Sequence, residues 1–284
     1  MLEIKDNVHY INVFENITEL SKYLTSRETK KGRDECSLRD DEDSLEFTKT
    51  KNFKEALDLM KYGDEKLYNQ IKKESKKINI NKIVGALNQR IKYKNRFYGS
   101  IPNVPMYLKG NPVNMINPEK KQPKNKILNI FLNIRVNAGI DSEYIMRIGL
   151  KYLTVVDILE KSGYRCNLYS GCANEGNYDD YSYLMVRVKT DKEPLNLKKI
   201  CFTIAHPSMQ RRIKFRWMEV NDCEHDYTNG YGCPDNISHT KQVLNDKLKD
   251  NFIVFTYESD NRKKSEKEII EDLKKEYGIN VGDE

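Results

Sequence analysis

The 284-residue sequence has no uninterrupted apolar run approaching 18 residues, so it offers no candidate transmembrane helix. Its first residues, Met1 to Asp6, lack the apolar stretch of a secretory leader. The expectation is a cytoplasmic protein with no membrane partner. With 8 Pro and 14 Gly, collagen-like and proline-rich disordered classes are excluded. Tryptophan occurs once, beside 18 Tyr and 9 Phe. No GxxxxGK[ST], HExxH or GxSxG motif occurs, and no GxGxxG loop follows a strand, which weighs against NTPase, metalloprotease and esterase chemistry.

What is present is charge. Lys and Arg number 49 against 43 Asp and Glu, a net +6 spread over a large surface. That excess permits a polyanionic partner without demanding one. The bias toward Lys, Asn, Ile, Tyr and Glu is that of a low-GC coding sequence, so many lysines are compositional.

The six cysteines, without a leader, are expected as free thiols. Cys223, His225, Cys233 and His239 supply two thiols and two imidazoles, a donor set suited to zinc. The gaps of one, seven and five residues between them depart from the tight knuckles of structural zinc sites. The reading of these residues is therefore no cofactor, with zinc as the alternative.

Residues 1–50 are dense in charge, with helix-like apolar spacing only at Ile11, Phe14, Ile17, Leu20 and Leu24. Residues 25–35 read as a flexible, solvated segment. Asn52 caps a helix that Gly63 ends, and a second helix covers about 64–92. The Pro- and Gly-punctuated stretch 98–115 carries Val104, Met106, Tyr107, Leu108 and Met115, too apolar for a free linker. It is expected to be ordered and to lie across a domain surface. The chain thus divides into a charged N-terminal region (1–50), a helical and connecting region (51–125) and an α/β domain (126–284).

The α/β domain starts with the near-continuous apolar run 127–136, the pattern of a strand buried on both faces. A helix over 143–161, a strand at 164–169, and a third strand at 183–189 follow. The third is too close to the second for a crossover, so it should pair antiparallel at an edge. Helices at 196–206 and 208–220, a long loop at 221–240, a strand at 252–257 and a helix at 264–277 complete the order β-α-β-β-α-α-β-α. The fold class is a Rossmann-like α/β sheet, mostly parallel and flanked by helices. The order resembles the von Willebrand factor A (vWA) domain, with expected spatial order third, second, first, fourth strand. Ligands of such open sheets sit at the carboxyl ends of the strands.

Several short motifs carry a family resemblance: Asn52 to Gly63, Val104 to Pro112, Asn137, Gly163 to Arg165, Val186 to Lys189, Ala205 to Arg212 and Gly230 to Gly232. They resemble an uncharacterised family encoded by phages and prophages. The resemblance covers about 52–257, leaves the first 50 residues outside, and implies a phage or prophage origin and a vWA-like core. It implies no activity.

A metal-binding vWA domain carries Asp-x-Ser-x-Ser after its first strand. Here Asn133, Arg135 and Asn137 occupy those positions, without a carboxylate and with a positive charge. Asp141 lies beyond them as a lone ligand or a helix cap. His206, before Pro207, is a general-base candidate with no nucleophile beside it in sequence. Arg211, Arg212, Lys214 and Arg216 form a basic run able to meet phosphates or to be solvated.

The leading expectation is a non-enzymatic binding or assembly module, with Asn137–Asp141 and the 170–182 loop as its surface. Its partner would be a phage or host protein, such as an AAA+ ATPase. The alternative is a nucleic-acid-binding protein using Lys72–Lys77, Lys92–Arg96 and Arg211–Arg216. The weakest is a metal-dependent enzyme using Asp141 or the Cys/His set.

Overall fold

The computed structural model describes residues 1–77, 92–119, 126–137, 139–176, 180–223, 233–257 and 263–279. The chain opens with β1 (Leu2–Lys5), β2 (His9–Phe14), α1 (Ile17–Thr25), α2 (Glu42–Thr48), α3 (Phe53–Tyr62) and α4 (Glu65–Lys77). Next come β3 (Lys92–Arg96), β4 (Ile101–Pro102), α5 (Val104–Leu108) and β5 (Met115–Glu119). The remainder is β6 (Ile127–Asn133), α6 (Ser142–Lys161), β7 (Arg165–Glu175), β8 (Tyr181–Lys189) and α7 (Leu197–Ala205). A π-helical stretch, Met209–Lys214, runs into α8 (Phe215–Val220). The chain closes with β9 (Cys233–Pro234), α9 (Ile237–Leu248), β10 (Phe252–Thr256) and α10 (Glu266–Tyr277).

The main sheet has the order β1-β2-β8-β7-β6-β10, with β9 paired to β7. β6 pairs parallel with β7 and with β10, and β7 pairs antiparallel with β8. The third-second-first-fourth order read from the sequence is thus present as β8-β7-β6-β10, within a Rossmann-like α/β fold. β8 is not an edge strand, however. β2 pairs with it in parallel over His9–Phe14, and β1 closes that side antiparallel. The helical reading of Ile11 and Phe14 fails because those residues alternate in a strand, and helix α1 begins only after the Asn16 cap. Residues 26–39 are also tied down: Lys30 N–H donates to Glu219 O (2.9 Å) and the Arg33 guanidinium donates to Met218 O and Asn221 O.

One sheet face carries the larger core. Ile130 and Leu132 of β6, Leu168 of β7 and Leu184 of β8 pack there with residues of α1, α3, α4, α6, α7, α8 and α10. The other face (Phe131, Ile11, Val13, Tyr183, Met185, Val254) is covered by Val243 and Leu244 of α9. α9 is not foreseen in the sequence, where its first turn falls within the expected loop 221–240. Two glycines set close approaches. A Cβ on Gly149 of α6 would lie 2.6 Å from Ala205 Cα of α7. One on Gly171 of β7 would lie 1.8 Å from Leu184 O of β8. β3, β5 and β4 form a separate three-stranded antiparallel sheet.

Candidate functional site

At the carboxyl end of β6 the polar residues satisfy their own backbone. Asn133 Oδ1 accepts from the N–H groups of Arg135 (3.2 Å) and Ala173 (3.1 Å), and Arg135 Nη1 donates to Asn174 Oδ1 (2.8 Å). Both side chains are buried. The Asn137 carbonyl closes a turn by accepting from Ile140 N–H (3.2 Å). Asp141 caps α6, its Oδ1 accepting from Tyr144 N–H (2.6 Å). Residues 170–175 and 181–182 belong to strands β7 and β8, so most of the proposed 170–182 loop is ladder rather than contact surface.

His206 is buried between Phe202, on which its ring stacks (4.6 Å), and Asp64, whose Oδ2 lies 3.6 Å from Nε2. Ser208 N–H donates to its Nδ1 (3.1 Å), which fixes the tautomer with Nε2 protonated toward Asp64. Burial drives its pKa down to about 4, against the opposing pull of Asp64 and Glu55. With both nitrogens engaged inside the core, it shapes the α7 break and is no general base.

The basic run is a set of tethers, not a phosphate surface. Arg212 is 1% exposed. It donates from Nε to Thr50 Oγ1 (2.8 Å), from Nη2 to Thr50 O (2.9 Å), and from Nη1 to Ser37 O (3.2 Å) and Arg39 O (3.0 Å). Arg211 lies over Phe47 (4.6 Å) and Phe215 (5.3 Å), and Lys214 is buried against Phe215 (5.0 Å). Arg216 donates to Thr29 Oγ1 (2.7 Å) and Arg27 O (2.8 Å). A buried guanidinium with its donors taken by protein oxygens has none to offer a nucleic acid.

Two of the four candidate zinc donors, Cys223 and His239, are not brought together. His225 lies outside the described residues. Cys223 belongs to the larger core, whereas His239 sits on α9 over the opposite face. Among the described residues no three His, Cys, Asp or Glu side chains form a ready-made metal centre. Burial pushes the Cys166 and Cys201 thiols up to about 12 and about 11, so neither is a nucleophile at neutral pH.

The most unusual surface is the small sheet. Six of the twelve exposed large hydrophobic side chains among the described residues fall within 97–108: Phe97, Tyr98, Ile101, Val104, Tyr107 and Leu108. The segment is expected from its sequence to lie across a domain surface, but these apolar residues face outward. Asn103 caps α5, donates from Nδ2 to Asn95 Oδ1 (3.0 Å), and closes the hairpin by donating its N–H to Asn114 O (2.7 Å). Asn95 Nδ2 in turn reaches Met106 Sδ (2.9 Å), so Met106 marks the inner side of α5. Val104, Tyr107 and Leu108, spaced i, i+3, i+4, form the outer side at 55%, 67% and 78% exposure. Strand alternation puts Lys94 and Arg96 on the face opposite Asn95. Across residues 92–119 the charged side chains are Lys92, Lys94, Arg96, Lys109 and Glu119, so this module is far more one-sided in charge than the whole chain.

The family model described as Domain of unknown function (DUF7192) matches residues 3–281. The chain belongs to the DUF7192 family. The match takes in the N-terminal fifty residues, which the motif resemblance left outside, in keeping with β1 and β2 completing the sheet. No curated protein and no solved structure matches the DUF7192 chain.

Proposed function

We propose that this protein is a binding or assembly module whose contact surface is the small sheet with α5, and that its partner is another protein. The observation that carries the reading is the concentration of Phe97, Tyr98, Ile101, Val104, Tyr107 and Leu108 at the surface of one short segment. Contiguous exposed apolar groups mark interaction sites in soluble proteins, and aromatic anchors dominate their energetics. The aliphatic members Ile101, Val104 and Leu108 have no π-face to stack on a base, so they favour a protein. Lys94, Arg96 and Lys109 favour acidic side chains at the rim of that partner's patch. The resemblance to a phage-encoded family supports a phage or host protein as the partner.

The test is quantitative affinity purification from the native host. The wild-type chain is compared with a Phe97→Ser, Tyr107→Ser, Leu108→Ser triple variant. A specific partner held by the wild type and lost from a variant with an unchanged melting temperature supports the reading. Identical recovery by both sinks it.

A second reading rests on Phe97, Tyr98 and Tyr107 lying exposed in the same segment as Lys94 and Arg96, a pairing that suits single-stranded nucleic acid. It requires anisotropy-detected binding to an oligonucleotide with a steep salt slope. Absence of binding at about 50 mM salt removes it.

A further inference from the structure

A second site lies on the main sheet, apart from the small-sheet surface. β8 and β2 run opposite to β6 and β7, so their first residues lie at the carboxyl end of β7. There Tyr181 pairs with His9 in register. α9 crosses the same end and brings His239. The three rings form a compact group: His9–Tyr181 at 5.8 Å, Tyr181–His239 at 4.2 Å and His9–His239 at 6.1 Å between centroids. Both imidazoles line a cavity of about 540 Å³ with Gln242, Asp246, Lys247 and Lys249.

Each imidazole has a carboxylate behind it. His239 Nδ1 lies 3.0 Å from both oxygens of Asp235, which is almost fully buried. Tyr183 Oη and Thr240 Oγ1 both donate to Asp235 Oδ2 at 2.8 Å. Burial and the adjoining Asp235 push the Tyr183 phenol well up, so it remains a donor. His9 Nδ1 lies 3.2 Å from Asp6 Oδ1. Partial burial works against the Asp6 carboxylate, but hydrogen bonds from Lys247 and the Val8 and His9 N–H groups, with the charge of His9, hold it well below its usual range. With Nδ1 committed to a carboxylate in both rings, Nε2 is the remaining nitrogen of each. A carboxylate holding the far nitrogen is the arrangement found behind metal-ligating histidines. Asp246, Lys247 and Lys249 line the cavity, Lys247 is taken up by Asp6 (2.6 Å), and Asp235 stands behind His239.

We infer that His9 and His239 bind one divalent ion of the zinc class through Nε2, with water completing its coordination. The spacing is compatible. With metal–nitrogen distances of about 2.1 Å, two ligating rings have centroids at most about 6.4 Å apart, and about 5 Å for a tetrahedral angle. The rings therefore need to close by about 1 Å. Borderline imidazole donors select zinc, nickel or copper over magnesium or calcium. Two protein ligands and open water positions make an exchangeable site, unlike a closed structural one.

The experiment is titration of the metal-free, full-length chain with Zn²⁺ in competition with a chromophoric chelator. One exchangeable equivalent is expected. His9→Gln and His239→Gln should each weaken it at least about tenfold, and Asp235→Asn by about 10- to 100-fold. His225→Gln and Cys233→Ser should leave it unchanged. A paramagnetic Cu²⁺ titration of the wild type should broaden the His9 and His239 ring signals before that of His206, which guards against a variant that fails to fold. The inference is overturned by no binding at about 100 μM Zn²⁺, by loss of affinity in the Cys233 variant, by a thiolate charge-transfer band on Co²⁺ substitution, or by affinity unchanged in either His variant.

Discussion

Replacing Arg212 by Met keeps the length of the side chain and removes its donors. Thr50 Oγ1, Thr50 O, Ser37 O and Arg39 O then lose a shared partner inside the protein. Thr50 O keeps the Thr48 hydroxyl (3.2 Å) and Thr50 Oγ1 keeps Ser208 Oγ (2.6 Å), so Ser37 O and Arg39 O are the acceptors most exposed to the loss. A buried acceptor left without a donor costs about 1–3 kcal/mol before relaxation, so a loss of about 2–4 kcal/mol is expected in urea denaturation. Arg212→Lys should recover only part, because one ammonium cannot span the positions that a guanidinium fork reaches. The run 211–216 was visible in the sequence as charge. Its burial was not, because the oxygens it binds lie more than 160 residues away in the chain. His206 carries a second residue-scale prediction. Its folded pKa is depressed to about 4 from an ordinary value near 6.5, with burial as the main cause. The unfolded chain therefore binds the extra proton first. The associated stability is fully present above about pH 6.5 and is lost as pH falls toward 4, up to about 3 kcal/mol. Urea midpoints at pH 7 and pH 5 should differ more in the wild type than in His206→Asn, in which this titration is absent. Equal differences would contradict the assignment.

Between elements, two contacts are closed enough that a single methyl decides them. Gly149→Ala gains about 1 kcal/mol of helix propensity but puts Cβ 2.6 Å from Ala205 Cα where α6 crosses α7. Two packed helix backbones must separate, so a net loss of about 1–3 kcal/mol is expected. Gly171→Ala sets Cβ 1.8 Å from Leu184 O between two central strands, where no side chain can yield. It should be the more damaging of the two, and thermal melts of both variants check the order. At this scale the sequence was most legible in β6, α6 and β10, where apolar periodicity, the Asp141 cap and local length agree. It failed at α9, whose buried positions are only Thr240, Val243 and Leu244, too sparse for a helical stripe. It failed again at the small-sheet surface, because outward apolar residues such as Tyr107 and Leu108 look in sequence like core. The His9–Tyr181–His239 group was illegible for another reason. Three separate elements converge on it, and no spacing along the chain records a β2–β8 pairing.

Taken over the whole molecule, the division into a charged N-terminal region and an independent domain from residue 126 predicts that 126–284 folds alone. The geometry predicts the opposite. Without β2, strand β8 becomes a long edge with unpaired backbone groups, a template for aggregation. Without α1 and α3, the buried partners of Leu20, Leu24, Ala56 and Met60 face water. Without residues 27–50, Arg212 loses its four acceptors and Arg216 its contacts with Arg27 and Thr29. Glu219, itself fully buried, loses the Ser37 N–H that donates to it at 2.8 Å. Burying unpaired charge costs several kcal/mol per ion, and a typical domain has only about 5–15 kcal/mol in total. The isolated fragment should therefore be aggregated or loosely packed, with little near-ultraviolet circular dichroism and no cooperative urea transition. Co-expression with residues 1–77 as a separate chain should restore both, since that piece carries β2, α1, α3 and every acceptor of Arg212. A cooperative transition in 126–284 alone would show that the N-terminal segments are an accessory layer and that the sheet is stable without its β1–β2 side.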